Sequence, residues 1–83
     1  MKKNKLPKWF NGSHYPKGDT VTNPFSGVSY ELNSEELSMY DFIMGAQTLF
    51  DMGMNDESIL KDFHKGLDWF REHNSKAYMV LLD

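Results

Sequence analysis

At 83 residues, with 40% hydrophobic and 14% aromatic content, the chain is one small domain near the lower limit for independent folding. It has no cysteine, which excludes disulfides and thiolate metal centres and leaves aromatic side chains to supply much of the core. The formal charge of −3 conceals an asymmetry: residues 1–18 hold five lysines and no acid, whereas residues 19–83 hold twelve acids against four basic residues, net −8.

No window approaches the length of a transmembrane helix, and the start, Met1-Lys2-Lys3-Asn4-Lys5, lacks the apolar run of a signal peptide. The expectation is a cytoplasmic protein with no membrane partner. Its stability should be about 4–12 kcal/mol at the usual value per residue.

Residues 1–8 read as a basic, flexible arm on an acidic domain. From Trp9 to Leu32 turn chemistry replaces helical periodicity. Asn11-Gly12, Tyr15-Pro16-Lys17-Gly18 and Asn23-Pro24-Phe25-Ser26-Gly27 are turn signatures. In the last of these Pro24 presets the first turn residue and Gly27 takes a positive φ. Thr20-Val21-Thr22 and Val28-Ser29-Tyr30-Glu31 alternate on either side as short strands, which predicts a small β-hairpin. Two strands are unstable alone and need the helices beneath them. Trp9, Phe10, Tyr15, Phe25 and Tyr30 are the anchors expected on the first helix. Asn11-Gly12-Ser13 also fits a glycosylation sequon, which chance explains in such a chain.

Leu32-Asn33-Ser34-Glu35-Glu36-Leu37 combines a hydrophobic staple, Leu32 on Leu37, with a capping box in which Asn33 caps and Glu36 reaches back. Met54-Asn55-Asp56-Glu57-Ser58-Ile59 repeats the grammar, with Asn55 as the cap and a Met54–Ile59 staple. Gly53 stands where the first helix should stop in a left-handed residue. An antiparallel helical hairpin follows, over about 34–52 and 56–73.

In the second helix Ile59, Leu60, Phe63, Gly66, Leu67 and Phe70 mark one face, with Trp69 at its edge. Gly66 within that stripe costs about 1 kcal/mol relative to Ala, so a close backbone approach is expected to compensate. The first helix is apolar over a wider arc, from Leu37 and Met39 to Leu49 and Phe50, with a narrow polar strip of Ser38, Asp41, Gly45 and Thr48. It therefore wants contacts on two sides. The segment Ser75–Asp83 fits either a short helix capped by Ser75, burying Tyr78, Met79 and Leu82, or a buried strand over Tyr78–Leu82. The helix is the reading adopted.

Candidate chemistry is sparse. His64, Asp68 and Glu72 stand one turn apart on the second helix, yet an open polar face explains them as well as a metal does. There is no cysteine nucleophile, Gly-x-Ser-x-Gly elbow or phosphate-binding glycine loop, and the carboxylate pairs Glu35-Glu36 and Asp56-Glu57 belong to helix starts. The expectation is no enzyme, no cofactor and no metal. Lys2, Lys3, Lys5 and Lys8 beside Trp9 suit a single-stranded nucleic acid, although the acidic remainder would repel phosphate. Of the methionines, Met52 is expected near the surface and Met39, Met44, Met54 and Met79 inside; Met52, Met54 and Trp69 together would make an apolar patch for a partner.

The strings Lys8-Trp9, Asn23-Pro24-Phe25-Ser26-Gly27, Tyr40-Asp41-Phe42-Ile43-Met44-Gly45, Leu67-Asp68-Trp69-Phe70 and Ala77-Tyr78-Met79-Val80-Leu81-Leu82-Asp83 span nearly the whole chain. With them the chain resembles a small uncharacterised protein of tailed bacteriophages that infect marine bacteria, cyanobacteria among them. The resemblance implies a protein made in the host cytoplasm during infection, and it carries over no catalytic or ligand residues. By analogy, phage proteins of this size bind a host enzyme or a virus-encoded machine.

The reading is thus an α+β, mostly α, single domain over residues 1–83: a basic arm (1–8), a turn-rich segment with a small β-hairpin (9–32), and a helical part (33–83) with a helical hairpin and a short C-terminal helix. The expected function is a non-enzymatic protein–protein interaction module, contacting a partner or a second copy through Tyr40, Met44, Met52 and Trp69. The alternative is a nucleic-acid-binding accessory protein that uses Lys2, Lys3, Lys5, Lys8 and Trp9.

Overall fold

The computed structural model describes residues 6–10, 12 and 14–82. The chain forms strands β1 (Asp19–Thr22) and β2 (Ser29–Leu32), then helices α1 (Ser34–Asp51), α2 (Glu57–His73) and α3 (Ser75–Leu81). The fold is α+β and mostly helical: a helical hairpin, a short C-terminal helix and a two-stranded antiparallel sheet. Lys2, Lys3, Lys5, and Asn11 and Ser13 of the sequon, lie outside the described residues. Leu6, expected in the arm, instead packs on the core.

Local chemistry sets the element ends. The hairpin pairs Thr22 with Ser29 and Val21 with Tyr30, and the two hydroxyls of Thr22 and Ser29 bond at 2.7 Å. Its turn is held by Asn23, whose carbonyl accepts from Gly27 N at 2.8 Å and whose side-chain oxygen accepts from Phe25 N at 2.8 Å. Gly27 takes φ +77°, the left-handed region that favours glycine. At the start of α1 the capping box is complete: Glu36 N donates to Asn33 Oδ1 at 2.8 Å, and Asn33 N donates to Glu36 Oε1 at 3.0 Å. The helix ends in a Schellman motif at Gly53 (φ +91°), with Met54 N donating to Leu49 O at 3.0 Å and Gly53 N to Phe50 O at 2.9 Å.

Two caps lie one residue from their expected places. Asp56, not Asn55, caps α2, because its carboxylate accepts from both Ser58 N (2.9 Å) and Ser58 Oγ (2.8 Å). A charged acceptor facing two donors at a positive helix end outcompetes a neutral amide. Asn74, not Ser75, caps α3 through Ala77 N at 3.1 Å, and the same residue ends α2 by donating its own N–H to Phe70 O at 2.9 Å. One residue therefore serves both helices.

The core gathers Phe10, Leu32, Met39, Ile43, Trp69, Phe70, Ala77 and Leu81. At Gly66 the side chains of α1 lie close against the backbone of α2. A β-carbon there would stand 3.1 Å from Met39 Sδ and 3.3 Å from Ile43 Cγ1, so the close approach expected of this glycine is present. Part of the second side of α1 is covered within the chain. Trp9 and Phe10 set their rings edge-on to Phe42, and Tyr15 N donates to Ser38 Oγ at 2.9 Å. Ser38, assigned to the polar strip, is fully buried and tied back to Ser34 O at 2.8 Å.

Four further expectations change. Trp69 is buried at 8% exposure, because α3 folds back on α2 and the resulting core includes it; its ring stacks on His73 at 4.4 Å. Met79 is 66% exposed, since α3 buries Ala77 and Leu81 instead. Met44 and Met54, expected inside, are exposed as well. Phe25 anchors nothing: it is 97% exposed.

The buried carboxylate of Glu36 joins the start of α1 to the α2–α3 joint. While Oε1 serves the α1 cap, Oε2 accepts from Asn74 Nδ2 at 3.0 Å. Asn74→Ala removes the α3 cap and one bond to a buried charge. It should cost about 2–4 kcal/mol, a large share of the total. Urea unfolding of Glu36→Ala, Asn74→Ala and the double variant should show costs well short of additive.

Candidate functional site

A groove of about 300 Å³ opens between the hairpin turn, α1 and the end of α3. Asn23, Pro24 and Phe25 form one wall, Tyr40, Met44, Gln47, Thr48 and Asp51 of α1 the other, and Leu81 with Leu82 close its end. Helical spacing explains the α1 wall, since positions 40, 44, 47, 48 and 51 share one face. Asn23 holds the opposite wall in place by donating its Nδ2 hydrogen to Val80 O at 2.9 Å, across a separation of 57 residues. Both walls are thus fastened to α3 or to the helical hairpin.

The groove has both apolar and polar lining residues. Phe25, Pro24, Tyr40, Met44, Leu81 and Leu82 supply the apolar surface, while Gln47, Thr48 and Asp51 supply polar groups. Burial raises the Tyr40 hydroxyl above its ordinary value, so it stays a neutral donor and acceptor in the cell. Thr48 Oγ1 is turned back to Met44 O at 3.0 Å. A site so built can hold an apolar side chain against Met44 and Tyr40 under Phe25. Tight capture of a solvated ion would need more converging polar groups.

Of the four residues expected to touch a partner, the fold unites Tyr40 and Met44 in this groove. Met52 is 71% exposed but sits apart, in the α1–α2 turn with Met54. Near that turn Phe50 and Leu60 border a smaller hollow of about 190 Å³. Trp69 is a core residue. Of the nucleic-acid set, Lys8 is exposed, but the Trp9 ring packs on Phe42 and carries Lys65 Nζ at 5.8 Å from its centre. It is engaged within the fold rather than offered as a stacking platform.

The remaining lining residues, Phe25 first, then Asn23, Pro24, Gln47, Thr48, Asp51, Leu81 and Leu82, are not among those the sequence singles out for contact. A phenylalanine following proline at the tip of a hairpin is the one local signal that pointed to the first.

Other polar clusters have structural uses. Asp68 pairs with Arg71 Nη2 at 2.7 Å rather than with His64. Among the described residues, no group of three or more His, Cys, Asp or Glu side chains could hold a metal ion, and no helix is long and apolar enough to cross a membrane. The negative charge of Asp41, followed by burial and a hydrogen bond to Asp41, raises the Tyr15 hydroxyl. Asp56 lies below its ordinary value, held there first by the Ser58 hydroxyl and next by the Ser58 N–H.

No family model matches the chain, and no curated protein or solved structure matches it significantly.

Glutamate at Trp69 buries an unpaired charge and should unfold the chain, whereas Met52→Glu should leave helical circular dichroism and melting unchanged within about 0.5 kcal/mol. Asp56 is depressed in the folded state, so its cap stabilises fully above the ordinary aspartate range. That contribution is lost as the pH falls through the lower, folded-state value. Asp56→Asn keeps an acceptor that does not titrate. The difference in stability between wild type and variant should therefore shrink through that acid window in pH-dependent melts.

Proposed function

We propose that this chain is a non-enzymatic protein–protein interaction module that receives its partner in the groove between the hairpin turn, α1 and α3. The observation that carries the reading is Phe25. This ring, 97% exposed, lines the same groove as Pro24, Tyr40, Met44, Leu81 and Leu82, so apolar side chains gather at one surface. Aromatic and methionine side chains lining a pre-formed groove suit an anchor residue of a partner. The resemblance to tailed-phage proteins makes the partner a host or viral protein, met in the cytoplasm.

Affinity capture with the wild-type chain should retain a partner that Met44→Glu and Phe25→Ala both lose and Met52→Glu keeps. The purified partner, titrated by calorimetry, should then show an affinity at least about tenfold weaker for Met44→Glu, the scale of a central contact. A partner retained equally by wild type and both groove variants would overturn the assignment of the groove.

A further inference from the structure

We infer that the occupant of this groove is a protein segment that places an apolar anchor beside Met44 and a lysine or arginine at its α1 end. The inference rests on the groove being the contact surface and adds the chemistry of what it holds.

The argument is electrostatic. Helix α1 contains Glu35, Glu36, Asp41 and Asp51 and no lysine, arginine or histidine, and its last turn has no basic residue. Asp51 therefore stands at the carboxyl end of its own helix, the negative end of the helix dipole, where a cation is the stabilising choice. Asp51 lines the groove, and so do Leu81 and Leu82 at the carboxyl end of α3. Residues from the carboxyl ends of two helices, one of them a carboxylate, thus line a single hollow, and among the described residues no basic side chain lines it. By contrast, α2 answers its own carboxyl end with Arg71 and His73 in the last turn. The missing cation at α1 is the complement a partner supplies.

The apolar walls set the other half of the specificity. An acidic groove without apolar surface would take any cation; one with Tyr40, Met44 and Phe25 around it selects a cation attached to a hydrophobic anchor. The stem of a lysine or arginine can itself lie along such a wall. A second copy seated with α1 against α1 would bring two uncompensated acidic helices together, and a nucleic acid would bring phosphate to Asp51, so both are disfavoured.

The test is a selection on the full chain with a random 16-residue peptide library, followed by titration of selected peptides by fluorescence anisotropy. Peptides should be enriched in a large apolar residue close to lysine or arginine. Their affinity should fall at least about tenfold with Met44→Glu and about threefold with Asp51→Asn, and should weaken with added salt in the wild type more than in Asp51→Asn. Peptides that are neutral or acidic yet lost with Met44→Glu would leave the groove standing and overturn the charge inference. Peptides indifferent to Met44→Glu, or an empty selection, would overturn both. Light scattering over a concentration series supplies the remaining arm: a dimer broken by Met44→Glu would put a second copy in the groove and overturn the basic partner.

Discussion

The fold depends on where one buried carboxylate sends its two oxygens. Glu36 satisfies the α1 cap with one and the α2–α3 joint with the other. A domain this small has a core of few side chains, and hydrophobic contacts alone leave helix directions loosely specified. A fully satisfied polar network fixes them, because each alternative arrangement strands a buried donor or acceptor. With Asn74 held against Glu36, α3 must leave the joint beside the hairpin, and Val80 O comes within reach of Asn23. The groove is a downstream result of that placement.

The same economy explains which part of α1 remains uncovered. Its wide apolar arc meets α2 through Met39 and Ile43 and the N-terminal aromatics through Phe42. Tyr40 and Met44 line the groove, and Phe25 on its other wall is 97% exposed. Its walls are held by hydrogen bonds rather than by a loop that must first order, which lowers the cost of binding.

Short-range grammar was readable before any coordinates. The Asn33–Glu36 box, the left-handed glycines at 27 and 53, the close approach at Gly66 and the helical hairpin all follow from patterns within six or so neighbouring residues. The two caps that moved did so where two polar residues stand side by side, Asn55 with Asp56 and Asn74 with Ser75. Which of them wins depends on partners, Ser58 in one case and Glu36 in the other. Trp69 and Met79 were misplaced for a longer-range reason: their burial is decided by how α3 lies on α2, and nothing in either helix encodes that angle. The candidate site was half visible. Tyr40 and Met44 stood out at the edge of the α1 stripe, but a groove assembled from residues 23–25, 40–51 and 81–82 has no contiguous pattern to detect.

The bond from Asn23 to Val80 has a consequence for how the protein comes into being. Emerging from a ribosome, the chain shows its hairpin early and its helical pair later. Until residues 75–82 have also emerged, Leu32 lacks Leu81, Asn23 lacks its acceptor, and the groove does not exist. Contacts of such long sequence separation form late and close the structure as one event. A chain cut before residues 75–82 would therefore lack the groove altogether, whatever the state of its hairpin and its first two helices.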